Sequence, residues 1–275
     1  MKKLVLVLVL LVLLVSCQEK DVLTFVFTPG PGTDLALMEE LYGGLVAEIG
    51  KAVGQDTEII VTTSAAATTE ALRNGTADIG RYGPFGYVMA VDEVGIVPLV
   101  RERMNEKGEL YYGLIIAQPG LFTEPFDISQ LKGKTVAFVE PGSTSGYLFG
   151  ITLMKEAGMT LDDLGQYNYA GSHPAVIETV LNGAVEVGFT CDRRLDIAIA
   201  EGVAVDGENF VYLLQSPPIM LNPWAARPDI DVDIDELINA FLDLSDEVLA
   251  PGDVETMVVA LDSDYNFVRD MALNQ

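Results

Sequence analysis

The sequence predicts an α/β protein of two lobes, each a mostly parallel sheet flanked by helices, with a ligand cleft between them. Three observations carry that expectation. Short apolar strands alternate with amphipathic helices nearly to residue 215. Turn-rich breaks around residues 101–109, at Gln118-Pro119-Gly120 and at Gln215-Ser216-Pro217-Pro218 set off a middle segment with its own alternation. The 275 residues suffice for two lobes of moderate size.

Taken in order, Lys2 and Lys3 form a basic head, Leu4 to Val15 an apolar run, and Leu14-Val15-Ser16-Cys17 a small-residue cleavage site ending in cysteine. The run is too short for a stable membrane span. Residues 1–17 resemble a bacterial lipoprotein signal, which implies cleavage before Cys17, lipid on its thiol, export, and tethering to a membrane surface, periplasmic or at the outer cell surface. An ordinary secretory signal would also export the chain. Strands are expected at Leu23–Phe27, Glu58–Val61, Ile79–Arg81, Gly95–Val100, Tyr111–Ala117, Thr135–Val139, Tyr167–Tyr169, Val185–Thr190 and Val211–Leu214. Apolar residues at helical spacing predict helices over Leu35–Val53 and Asp233–Leu249, the latter after an Asp-rich start that suits a helix N-terminus. The expected division is residues 22–117 with 213–275 for one lobe and 118–212 for the other. Two crossings make a hinge, and small ligands bind in such clefts.

Acidic residues number 41 against 16 basic ones, for a net charge of −25, which argues against nucleic acid as a partner. An anionic ligand would be opposed at long range, so an anion site in this chain is expected to be enclosed. The chain has two cysteines. With Cys17 lipidated, Cys191 has no disulfide partner and reads as a small packed side chain. One histidine and one further cysteine do not make a metal site, and no cofactor is expected.

The most informative stretch is residues 135–158, read as a buried strand, a hydroxyl-rich turn and a helix. The first N–H groups of a helix have no intrahelical partner and carry the positive end of its dipole. Ser143, Thr144 and Ser145, flanked by Gly142 and Gly146, add hydroxyl donors in the same turn. An oxyanion is the natural guest. Simple N-capping by Ser143 or Thr144 is the alternative.

Four segments together resemble the phosphate, phosphite and phosphonate substrate-binding proteins of ABC importers. They are Tyr82-Gly83-Pro84-Phe85-Gly86-Tyr87-Val88-Met89-Ala90; residues 131–139 running into Pro141-Gly142-Ser143-Thr144-Ser145-Gly146-Tyr147; Gly171-Ser172-His173-Pro174-Ala175-Val176; and residues 182–189 followed by Asp192-Arg193. The resemblance implies a type II periplasmic-binding-protein fold that closes on a phosphorus oxyanion and delivers it to a membrane permease, acting as a monomer and not as an enzyme. It places ligand oxygens on Ser143, Thr144 and Ser145 and a binding histidine at His173, the chain's one histidine. A family tyrosine falls on Tyr87, with Tyr82 a weaker candidate; aromatic packing is the competing reading. Asp192 lies where the family places an acidic residue. An ionised carboxylate only accepts hydrogen bonds, so it would favour a ligand that keeps a P–OH proton. A surface ion pair with Arg193 or Arg194 is the alternative. Many phosphonate-binding members carry Asp-Tyr where this chain has Ser64-Ala65, which leaves Thr63 and Ser64 as smaller donors.

Two rival functions share these residues. Ser145, His173 and Asp192 occur in a hydrolase order, yet the Gly-x-Ser-x-Gly elbow is absent because Thr144 stands at its centre. A Cys191–His173 nucleophile pair is a second catalytic option. The same fold also serves as a ligand sensor for a membrane kinase or a receptor for another small anion.

Overall fold

The structure is a computed structural model that describes residues 22–28, 35–105 and 108–273. The leader and Cys17 lie outside the described residues. The chain runs β1 (Val22–Phe27), α1 (Leu35–Val53), β2 (Asp56–Val61), α2 (Ala65–Arg73), β3 (Ile79–Arg81), α3 (Pro84–Val94), β4 (Val97–Met104), β5 (Leu110–Tyr111), β6 (Gly113–Ala117) and β7 (Thr135–Phe138). A π-helical turn, Thr144–Leu148, opens into α4 (Phe149–Glu156). There follow β8 (Gln166–Tyr169), α5 (His173–Leu181), β9 (Val187–Cys191), α6 (Asp192–Ala200), β10 (Val211–Gln215), β11 (Ile219–Met220) and β12 (Pro223–Ala226). The chain closes with α7 (Ile234–Leu242), α8 (Asp246–Leu249), β13 (Val254–Val259) and α9 (Asn266–Leu273).

Two sheets form the two lobes, one ordered β13-β4-β12-β3-β1-β2 and the other β10-β6-β9-β7-β8. Both are mixed where mostly parallel sheets were expected. In the first, β2, β1 and β3 run parallel while β12, β4 and β13 pair antiparallel. In the second, β8, β7 and β9 pair parallel while β6 pairs antiparallel with both β9 and β10. The parallel trios are the strand–helix–strand units; the antiparallel pairings involve β4, β6, β10 and β12, the strands on either side of the two crossings. Pro98 lies inside β4, which has a neighbour on each side, and the ladder to β12 is bulged between Trp224 and Ala225 there, consistent with a residue that lacks an N–H donor.

The crossings fall a few residues from their expected places. β6 and all of β10 belong to the second sheet, so residues 113–117 and 213–215 move from the first lobe to the second. The strand expected over Tyr111–Ala117 breaks at Tyr112, because its N–H donates to the Asp192 carboxylate and its C=O accepts from the Asp192 N–H. The two crossings, β5 and β11, pair with each other as an antiparallel ribbon. The helix expected over Asp233–Leu249 is also split. Asp233 caps α7 through the N–H groups of Asp235 and Glu236, and the chain re-caps at Ser245, whose hydroxyl donates to Glu48 of α1.

The first lobe's core is built around Trp224, with Phe27 at 5.4 Å and Phe241 at 5.3 Å between ring centroids. The second is built around Phe138 stacked on Phe189 at 4.9 Å. One charged pair is set into the first core. Arg81, at the end of β3, grips Glu102 of β4 through Nε at 2.5 Å and Nη2 at 2.7 Å, and its guanidinium lies over Tyr42. Glu102 is fully buried. Such a pair costs desolvation to form, and removing one member leaves a buried charge without compensation. Glu102→Ala is therefore expected to lower the unfolding free energy by about 3–5 kcal/mol in urea titrations, far more than a surface carboxylate would.

Candidate functional site

β7, β8 and β9 are parallel neighbours, so their C-terminal ends open onto one edge of the second sheet. Ligands of α/β sheets bind outside that edge. The ladder continues past the strand ends, with Ala170 N–H donating to Phe138 O and Gly171 N–H to Val139 O, each at 2.8 Å. The turn before His173 is thereby fixed beside the turn that carries Ser143, Thr144 and Ser145. Asp192 follows at the end of β9.

The hydroxyl turn begins as a π turn instead of the expected α-helix, with Leu148 N–H on Ser143 O at 3.0 Å and Phe149 N–H on Thr144 O. π turns of this kind concentrate at functional sites. Ser143 is its N-cap: the Gly146 N–H donates to Ser143 Oγ at 3.1 Å, which realises the capping alternative for this residue. The N–H groups of Thr144 and Ser145 stand ahead of any intrahelical acceptor, and both residues are buried.

Thr144 reaches across the cleft. α3 has Gly83 as its N-cap, which supplies no side chain, and the Phe85 N–H donates to Thr144 Oγ1 at 2.9 Å instead. Ser143 and Thr144 thus each use an oxygen lone pair on an N–H, and each retains its O–H proton to donate. A guest that only accepts hydrogen bonds matches what is left.

A second cross-cleft contact lies beside the first. The Glu140 carboxyl, raised above the usual range by burial, is partly offset by the N–H of Ala65 at the start of α2. Gly142 sits against Ala65 so closely that a Cβ on Gly142 would stand 2.8 Å from the Ala65 Cβ. Ala65 and Ser64 occupy the place of the family's Asp-Tyr, and the small side chain is what permits this approach. Ser64 itself caps α2 by accepting from the Ala67 N–H, while Thr63 is exposed.

His173 is the first residue of α5, and its Nδ1 meets the Thr190 hydroxyl at 3.2 Å. Burial, reinforced by the Arg194 charge, pushes its imidazole down to about 3, so the ring is neutral at pH 7 without a ligand. Asp192 is tied to the hinge through Tyr112, as described above. Neither contact is that of a hydrolytic triad, which needs a carboxylate on the histidine Nδ1. Cys191 is buried and its thiol is pushed up to about 11 by that burial, which removes it as a thiolate nucleophile at neutral pH.

Tyr87 and Tyr82 each have a partner within the first lobe. The Tyr87 hydroxyl donates to Asp262 at 3.0 Å and its ring packs on Tyr265, so the first lobe's own C-terminal segment takes up this phenol. Tyr82 is buried with its hydroxyl towards Thr69 of α2. The phenol that does meet the anion turn is Tyr111, in the hinge strand β5. It is buried, in contact with the hydroxyls of Thr144 and Ser145, and its pKa is raised by that burial.

A profile of the family described as "ABC transporter, phosphonate, periplasmic substrate-binding protein" matches residues 27–265. The chain belongs to this family. Its members are substrate-binding proteins. The chain is 27% identical over 177 residues to the phosphate-import protein PhnD of Mycolicibacterium smegmatis, a match covering 60% of this chain and 54% of that relative, about half its length. In three dimensions it resembles PhnD1 of Prochlorococcus marinus, solved with methylphosphonate, at a TM-score of 0.77 and 16% identity over 93% of this chain and 98% of that one. It also resembles the binding component of a Pseudomonas aeruginosa ABC phosphonate transporter, at a TM-score of 0.78 and 18% identity over 93% and 86% of the two chains. These likenesses establish the two-lobed periplasmic-binding fold. Among the described residues no helix is long and apolar enough to cross a membrane.

Two outcomes follow from the geometry. Gly142→Ala puts a methyl into Ala65 and holds the lobes apart, so anion affinity measured by calorimetry should drop while the thermal midpoint of the unliganded protein changes little. The unfolded chain protonates His173 below about 6.5, whereas the folded chain resists until about 3. Between those values the unfolded state binds more protons, so stability falls as the pH is lowered through the window and is unaffected by this group above it. Urea midpoints should decline less steeply from pH 6.5 to 4 in His173→Gln than in the wild type.

Proposed function

We propose that this chain is an extracytoplasmic solute-binding lipoprotein of an ABC importer, anchored through Cys17, that traps a phosphorus oxyanion in the interlobe cleft for a membrane permease. The observation that carries the reading is the buried π turn. Its leading N–H groups lack helical partners and its hydroxyls retain protons to donate, at the C-terminal edge of three parallel strands. The relatives' phosphate and methylphosphonate are both tetrahedral phosphorus oxyanions, which is the shape this donor set suits.

Binding is then a matter of donors converging on acceptor oxygens. The Thr144 and Ser145 amides and the three hydroxyls hold the anion from the second lobe, assisted by the positive end of the helix that follows. His173 stands at the neighbouring strand end. An adjacent anion favours its protonated form and reverses part of the depression that burial imposes. Asp192 favours a ligand bearing a P–OH proton and disfavours one that is fully deprotonated. Closure follows because the first lobe meets the second at the same turn, through the Phe85 N–H on Thr144. A ligand that orders the turn favours the closed arrangement by its differential affinity for it.

Calorimetric titration of the full chain in detergent with phosphate, phosphite, methylphosphonate, 2-aminoethylphosphonate and sulfate tests the reading. At least one phosphorus ligand should bind in preference to sulfate. Silence towards all four, or preference for sulfate, would discard the assignment. Ser145→Ala and His173→Ala should each weaken the best phosphorus ligand by about 1.5–3 kcal/mol, the worth of a hydrogen bond to a charged group.

A further inference from the structure

We propose that Arg193 and Arg194 form a second subsite in the cleft that takes an anionic group on the substituent of the ligand, so that a phosphonate carrying a carboxylate is favoured over one carrying an amine. The proposal rests on the reading of the Ser143-Thr144-Ser145 turn as the site of the phosphorus oxyanion and names the class of substituent that goes with it.

Position comes first. The two arginines are the second and third residues of α6, which starts directly after β9, at the same C-terminal edge of the second sheet as the hydroxyl turn. Cys191, just before them, is packed in one cluster with Phe27, Tyr42 and Trp224, so this helix start lies against the first lobe. On that side Arg81 ends β3, with its guanidinium carbon 5.4 Å from the centre of the Tyr42 ring. Burial raises the Tyr42 phenol, helped by Glu102, while the charges of Arg81, Arg194 and Arg193 all act against that rise. The Arg194 charge also acts on His173. The pair is therefore within electrostatic reach both of the histidine beside the anion turn and of the first-lobe wall opposite.

Charge accounting supplies the chemistry. Among the described residues every other arginine, namely Arg73, Arg81, Arg101, Arg103, Arg227 and Arg269, has a carboxylate within ion-pair distance. Arg193 and Arg194 have none there, in a chain with 41 acidic residues. The Asp192 carboxylate next to them accepts from the Tyr112 N–H instead. Their place is also unfavourable, because a cation in the first turn of a helix meets the positive end of the helix dipole. An anion from outside the chain offsets both the mutual repulsion of the two guanidiniums and that dipole. Arg193 is half-buried and Arg194 exposed, so an incoming group reaches them without breaking an internal pair. Each guanidinium can fork onto a carboxylate. An ammonium in the same position meets two like charges, and such a contact rejects a wrong ligand. Arg81, held by Glu102, adds no net charge to the balance.

The test is calorimetry on the full chain in detergent with phosphate, methylphosphonate, 2-aminoethylphosphonate and 2-carboxyethylphosphonate, the last two matched in chain length. The wild type should bind the carboxyethyl ligand about 10- to 100-fold more tightly than the aminoethyl one, as expected for a hydrogen bond between charged groups. In the double variant Arg193→Gln with Arg194→Gln that ratio should collapse towards one. Wild-type binding of phosphate or methylphosphonate without a preference for the carboxyethyl ligand over the aminoethyl one overturns the subsite and leaves the anion turn standing. An equal preference in wild type and double variant overturns the role of the two arginines. No binding of any of these probes by the wild type overturns the underlying anion-site reading instead. Should the variant fail to fold, a crystal structure of the wild-type protein with 2-carboxyethylphosphonate decides. A ligand carboxylate oxygen at about 3 Å from a guanidinium nitrogen of Arg193 or Arg194 supports the proposal, and a carboxylate that touches neither overturns it.

Discussion

The Thr144 side chain is where the two halves of this molecule meet in chemical terms. Its oxygen accepts a backbone N–H from the opposite lobe, its proton is committed to whatever fills the space beside it, and its own N–H precedes the first helical acceptor. A buried polar group must find a partner or cost free energy, of the order of 1–3 kcal/mol when it does not. The turn accordingly favours a guest rich in acceptors, and the wide π turn sets its amides and hydroxyls on one edge of the sheet. The remaining architecture serves to hold this turn in place. Three parallel strands fix its neighbours, the β5–β11 ribbon fixes the hinge, and the Gly142–Ala65 contact fixes how closely the lobes approach.

Charge is handled locally in a chain whose overall field opposes its proposed guest. The net charge of −25 repels anions at a distance, but screening confines that effect to about 10 Å at ordinary ionic strength. Inside the site the donors are neutral amides and hydroxyls, with His173 held uncharged by burial until a negative neighbour changes the balance. The charged pair in the first lobe, Arg81 with Glu102, neutralises itself and so contributes shape more than field. In the proposed site the anion is met by amides and hydroxyls, with the Arg194 charge near enough to act on His173.

Much of this was legible in the sequence, and the part that was not has identifiable physical causes. The strand–turn–helix unit around Ser143 announced itself because capping hydroxyls, flanking glycines and apolar periodicity are all local signals. α1 was legible over its full length for the same reason. The Tyr87 partner, Asp262, lies 175 residues away in sequence, and no local pattern records that contact. The cross-cleft donor of α3 is the backbone N–H of Phe85, which no side-chain motif encodes. β12, Pro-Trp-Ala-Ala, is central and fully buried but lacks the β-branched run by which strands are recognised. The lobe boundary shifted because the strand pairing of β6 is decided by β9 and β10, not by the turn that follows it.

The central claim, that the amides opening the π turn hold the anion, is tested most directly by hydrogen exchange at single residues. Nuclear magnetic resonance of the full chain would follow the N–H groups of Thr144 and Ser145 with and without saturating methylphosphonate or phosphate. The account predicts that both amides gain marked protection and shift downfield when the ligand that binds is added, while the Gly146 amide, already bonded to Ser143, changes less. Ligand binding that leaves the Thr144 and Ser145 amides exchanging as before would contradict it.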